Sequence, residues 1–111
     1  MRYQTTSTDD VASLIDEEWG GMWMLRDALG ADHLGVTVLE LEPGGTGKRH
    51  DHAGSDHEEV YLVVEGTLEV DLDGETVTLG PLEAVRVDAE TTRQLHNRGD
   101  DSVMVVIAGA P

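Results

Sequence analysis

The stretch TLEVDLDGETVTL, residues 67–79, restricts the possible folds more than any other part of the chain. Leu68, Val70 and Leu72 alternate with Glu69, Asp71 and Asp73, so an extended backbone puts the apolar set on one face and the acids on the other. A helix would scatter both sets around its axis. Asp73-Gly74 then offers a pair that accepts the backbone of a tight hairpin turn, and ETVTL returns. The stretch is therefore a β-hairpin with one face in water.

The remainder reads the same way. Gly35–Leu41 (GVTVLEL) is β-branched and ends at the turn signal EPGG. Residues 60–64 are continuously apolar, which predicts a strand covered on both faces. Ala84–Val87 and residues 102–107 complete the set. Short strands at regular spacing, with little helix, predict an all-β sandwich or barrel. Residues 1–32 stand apart as an N-terminal arm. There Thr8-Asp9-Asp10 either caps a short helix through Ile15 or opens an irregular segment. LRDALG, residues 25–30, predicts one helical turn ended by glycine. The Trp and Met side chains of 19–24 are expected to pack against a sheet or a partner chain. A chain of 111 residues suits one core, so we expect a single domain over 1–111, with the barrel at 33–110.

Charge narrows the partners. Asp and Glu number 23 against 7 Lys and Arg, a formal net charge of −16. Such a surface repels nucleic acid phosphates and anionic lipid, which argues against both. Abundant acid with scarce lysine resembles proteins of salt-loving organisms, where screening relieves the self-repulsion. Isolated acids therefore say little about function. There is no cysteine, which excludes disulfides and thiolate sites. No segment has signal-peptide character or the length of a membrane span, and a cytoplasmic location is expected.

The chemistry concentrates in KRHDHAGSDHEEVY, residues 48–61. His50 and His52 are two apart and share a face if extended; so do Glu59 and Tyr61 on the following strand. If a hairpin pairs those faces, two imidazoles and a carboxylate converge. Two histidines and one carboxylate with open positions suit Fe(II), and tolerate Mn, Ni, Cu or Zn. Without metal, the same histidines would form a pocket for a small ligand. His57 shares the parity of Glu59 and is a further ligand, a replacement for Glu59, or a solvated loop residue. Glu58 has the opposite parity and is expected outside. Tyr61 lines the pocket or packs in the core. His33 is expected at the surface.

Gly44-x5-His50-x-His52 followed by Glu59-x6-Gly66 resembles the first motif of the cupin family. The glycine-to-histidine and glutamate-to-glycine spacings match, and the loop between His52 and Glu59 is longer. Residues 80–97, GPLEAVRVDAETTRQLHN, fall where the second motif belongs. Aligned on Asn97, Arg93 stands where the family's fourth ligand histidine sits, and Asp88 and Glu90 replace the proline and glycine of its turn. HDHA and EEVY bring the chain nearest to the small single-domain cupins. The resemblance implies a double-stranded β-helix, or jelly-roll, barrel with a divalent metal at its mouth.

Arg93 stays charged and cannot ligate a metal. It could hold the carboxylate of a substrate, or pair with Glu59 in place of a metal. His96, three residues on, has the wrong parity to join the site unless a bulge re-aims it. Three functions fit: a metal-dependent oxygenase or isomerase acting on a small anionic molecule, a non-catalytic metal- or metabolite-binding sensor, and a metal-free structural protein. The outward apolar side chains Val60, Leu62 and Val64, with residues 19–24, imply a homodimer.

Overall fold

The computed structural model describes residues 2–111. The strands are β1 (Gly20–Met24), β2 (Gly35–Leu41), β3 (Glu58–Glu65), β4 (Leu68–Leu72), β5 (Glu75–Leu79), β6 (Ala84–Val87), β7 (Arg93–His96) and β8 (Val103–Ala110), with a short helix α1 (Arg26–Leu29) between β1 and β2. They form a five-stranded sheet in the order β1-β2-β8-β3-β6 and a three-stranded sheet in the order β5-β4-β7. All named pairs are antiparallel. This is the jelly-roll barrel expected, with its two sheets face to face.

The alternating hairpin folds as its pattern dictates. Leu72 pairs with Glu75 across a two-residue turn. Both turn residues, Asp73 (φ 47°) and Gly74 (φ 89°), take the left-handed backbone that matches the twist of the flanking strands. Leu68 and Val70 are fully buried. They meet Leu95 from β7 and Leu39, Val63, Val105 and Ile107 from the opposite sheet in one cluster. A fully buried aliphatic side chain of this size stabilises the fold by about 1.5–3 kcal/mol.

Three expectations need correction, and one open alternative is decided. The N-terminal arm is not separate from the sheet: β1 pairs with β2 along its whole length, Gly20 opposite Leu41 to Met24 opposite Thr37. Its two glycines and the absence of alternation or β-branched residues hide its strand character. Of the two readings of the segment from Thr8 to Ile15, the irregular one holds: a single 3-10 turn, Thr8–Asp10, leads into irregular chain. β7 was not expected as a strand, because RQLH is too short and too polar to announce itself. Finally, β3 is covered on one face only. Tyr61 and Val63 point inward, whereas Val60 and Val64 remain 38% and 37% exposed.

Candidate metal centre

The two halves of the site come from opposite sheets. Residues 44–50 run antiparallel to β7 with hydrogen bonds from Gly44 N to Asn97 O, Gly47 N to Leu95 O and His50 N to Arg93 O. Glu59 and Tyr61 lie on β3, paired with β8 and β6. The expected hairpin between the histidine segment and β3 is therefore absent; the residues converge across the barrel instead. They still meet. Donor atoms of His50, His52 and Glu59 all lie within 4.8 Å of one another.

Each group is prepared differently. His50 Nδ1 sits 2.9 Å from Lys48 O. A carbonyl only accepts, so Nδ1 carries the proton and Nε2 keeps its lone pair for the site. His52 Nε2 is buried without a hydrogen-bond partner, 3.4 Å from Glu59 Oε1. Burial holds the His52 pKa below its ordinary value, against the attraction of Glu59 and with help from the cationic forms of His57, Arg93 and His50. It is neutral at pH 7, as a ligand must be. For Glu59, burial alone would raise the pKa. The hydrogen bond from Tyr61, the charge of Arg93 and the protonated forms of His52 and His50 outweigh it, so its pKa lies below the ordinary value.

Tyr61 is 1% exposed and donates its hydroxyl to Glu59 Oε1 at 2.7 Å. Burial and the adjacent carboxylate push the phenol well above its ordinary range, so Tyr61 acts as a donor and not as a base. His57 stands beside the group. Its Nε2 is 3.7 Å from Glu59 Oε2 and its ring lies 4.5 Å from that of His52. The longer loop folds back on itself to achieve this: Ser55 Oγ donates to His52 O and accepts from His57 N. Across the sheet, Gly109 on β8 faces Glu59. A Cβ at Gly109 would come to 2.7 Å from His57 Nε2, so any other residue there would make that ring shift.

Arg93 lies beneath the site, fully buried. Its Nη2 donates to Asp88 O at 2.6 Å and its Nη1 is 3.8 Å from Glu59 Oε1. Nε and Nη1 make no hydrogen bond. The guanidinium does not line the barrel-mouth cavity, a space of about 340 Å³ bounded by His50, His52, Glu59 and Tyr61 on one side. Glu58 points outward to Arg86, and His33 is exposed, both as expected. His96 faces the outside of the three-stranded sheet, 2.9 Å from Asp71 Oδ2 though not aligned as a hydrogen bond. Asn97 is the unforeseen structural pin: its amide donates to Leu41 O and Asp101 O, both at 2.8 Å. Only its position in the motif marked it.

A Cupin domain family profile matches residues 37–109, and the chain belongs to this family. It is 32% identical over 85 residues to a Mycobacterium tuberculosis protein named Beta-D-galactosidase Rv1717, covering 77% of this chain and 71% of the relative. It is 37% identical over 78 residues to polyketide synthase CurC of Streptomyces cyaneus, covering 70% of this chain but only 48% of that one. Among solved structures, a cupin protein from Bacteroides fragilis superposes with a TM-score of 0.80 at 21% identity, over 99% of this chain and 85% of the other. A cupin-superfamily sugar phosphate isomerase from Silicibacter pomeroyi gives 0.78 at 22% identity, over 96% and 75%. At these identities the structures share the fold. No helix among the described residues is long and apolar enough to cross a membrane.

Proposed function

We propose that this protein is a metal-dependent cupin that binds a divalent transition metal through His50, His52 and Glu59 and acts on a small molecule at the barrel mouth. The observation that carries this reading is the convergence of three donor groups within 4.8 Å, one of them a buried imidazole nitrogen with no other partner. Two neutral imidazoles and one carboxylate suit Fe(II) and accept Mn, Ni, Cu or Zn. A metal there would act as a Lewis acid toward an oxygen of the substrate. Of this chain's own residues, Tyr61 fixes the orientation of Glu59 and keeps it ionised. His57, part-exposed and 3.7 Å from Glu59 Oε2, would serve to take or return a proton. That combination fits proton-transfer isomerisation better than a purely structural role. The isomerase named among the structural relatives is consistent with it.

Metal analysis tests the reading. Protein purified without chelator, or incubated with Fe(II), Mn, Ni, Cu or Zn, should carry close to one ion per chain, and His50→Ala or His52→Ala should abolish uptake. A chain that takes up none of these ions refutes the metal reading. The alternative, a metal-free structural protein, is favoured by one observation: Arg93 already offers Glu59 a buried counter-charge at 3.8 Å. If Arg93 is there as a substitute for metal, Arg93→Leu should strengthen metal uptake rather than leave it unchanged. We also propose one domain over 1–111 that pairs as a homodimer, with a second copy covering Val60, Leu62 and Val64; a monomeric mass by light scattering would refute the pairing.

A further inference from the structure

The wall of the barrel-mouth cavity changes character strand by strand. Glu59 and Tyr61 on β3 form its polar side. The next strand, β8, presents Ile107 directly opposite Tyr61. Beyond it β2 presents Leu39 with Thr37, and β1 ends the wall with Met22 and Met24. Neighbouring strands are about 4.8 Å apart, so the apolar stretch from β8 to β1 extends about 10 Å from the edge of the donor group. Ile15 and Leu95 close it from the sides. The irregular segment before β1 is fixed there, since Leu14 N donates to Met22 O and Met22 N donates to Ser13 Oγ.

Charge is equally one-sided. Lys48 is the only lysine of the chain and the only Lys or Arg lining this cavity. Among the described residues it makes no ion pair, whereas Arg86, Arg93 and Arg98 all do. Beyond the His50, His52, Glu59 and Tyr61 group, only Thr37, Thr46 and Lys48 offer polar side chains to an occupant. A sugar buried here would leave several hydroxyls without partners, each a penalty of the kind that makes buried polar groups rare. A phosphorylated ligand would carry two charges to a molecule of net charge −16 with one free cation at the rim.

We propose that the cavity takes a small, mainly apolar molecule with a single acidic head group, a carboxylate or acidic enol. Its head lies between Lys48 and the His50–His52–Glu59 group, and its body lies along Ile107, Leu39 and Met22. This rests on the barrel-mouth reading of the site but not on a bound metal, because Lys48 and the apolar wall are present without one.

Titration calorimetry on the full chain tests it, with hexanoate, benzoate, D-galactose and glucose 6-phosphate as probes, each against metal-free and Mn-loaded protein. Both acids should bind at least about tenfold more tightly than either sugar in both forms. Lys48→Ala, at an exposed position, should weaken both acids at least about fivefold, and Met22→Asn should weaken them while leaving the thermal transition of the protein cooperative. Equal or tighter binding of either sugar, no binding of the acids at millimolar concentration, or an unchanged affinity in Lys48→Ala would overturn the proposal. Metal content measured on the same samples separates the two readings. Acids that bind a chain taking up no metal refute the metal site alone; sugars preferred by a chain that does take up metal refute this inference alone.

Discussion

Two clusters in this molecule are built from the same residue types. Inside the barrel, His50, His52 and Glu59 gather at the mouth, with Arg93 buried beneath them. Outside the three-stranded sheet, His96, Asp71, Glu69 and Arg98 gather on β4, β7 and the turn after β7, with Arg98 3.3 Å from Asp71 and 3.5 Å from Glu69. Both join histidine, acid and guanidinium. Each holds a buried imidazole nitrogen without a hydrogen bond, but only the inner one brings three ligand atoms together and seals a charged arginine from water. Arg93 and Leu95 point in, so Gln94 and His96 must point out. The difference teaches that ligand chemistry is assigned by parity and burial: a one-residue shift turns the same side chains into a solvated surface network.

Arginine replacement should separate the clusters most widely. In metal-free protein, Arg93→Leu leaves Glu59 buried beside lost counter-charge, and denaturant melts should show a loss of about 3–5 kcal/mol. Arg98→Leu, on an exposed pair, should leave the melt nearly unchanged. Saturating the protein with metal should shrink the Arg93 effect, because the ion would neutralise Glu59; an equal loss with and without metal would break the comparison. Histidine replacement comes next. His52→Ala should weaken metal binding by at least about a hundredfold, roughly 2.7 kcal/mol, in a competition assay with a chelating dye. His96→Ala should leave it unchanged, and a metal defect there would mean the outer cluster is not merely surface.

Tyr61→Phe should cost about 1.5 kcal/mol in metal-free stability, the value of a hydrogen bond to a charged acceptor. Thr76→Val, which removes the 2.8 Å hydrogen bond to Asp71 outside, should change stability by about 0.5 kcal/mol or less. The smallest effect concerns pH. His52 is held below its ordinary 6.5, so the unfolded chain binds its proton first as pH falls. Metal-free protein should therefore lose stability on acidification below 6.5, a slope that His52→Gln flattens. Asp71 is lowered from 3.8 by its hydrogen bonds to Thr76 and Arg98, so its contribution is present above 3.8 and fades only as pH falls below it. A wild-type profile that stays flat as pH falls below 6.5 would contradict the inner window.

How much of this was legible depended on how local the cause was. The hairpin at 67–79, the strand Gly35–Leu41 and the turn ended by Gly30 follow from period, β-branching and turn residues, and they form as read. The donor set His50, His52 and Glu59 was legible as a spacing. β1 was not, because its pairing with β2 lies in hydrogen bonds that any backbone can make and its side chains advertise nothing. Lys48 and Gly109 were passed over for the same reason: a lone lysine and a strand glycine acquire meaning only from what lies across from them.

By itself, then, the sequence determined the strands of regular period, the faces of the alternating ones, and the residues able to ligate a metal. These are consequences of a two-residue period and of donor chemistry, both contained within a few neighbouring positions. Tertiary structure alone decided that the histidine segment pairs with β7 rather than with β3, and that Arg93 lies under Glu59 rather than at the mouth. It also made β1 the far wall of the cavity. Those outcomes come from long-range closure of two sheets, where burial and register are shared among segments far apart in the chain.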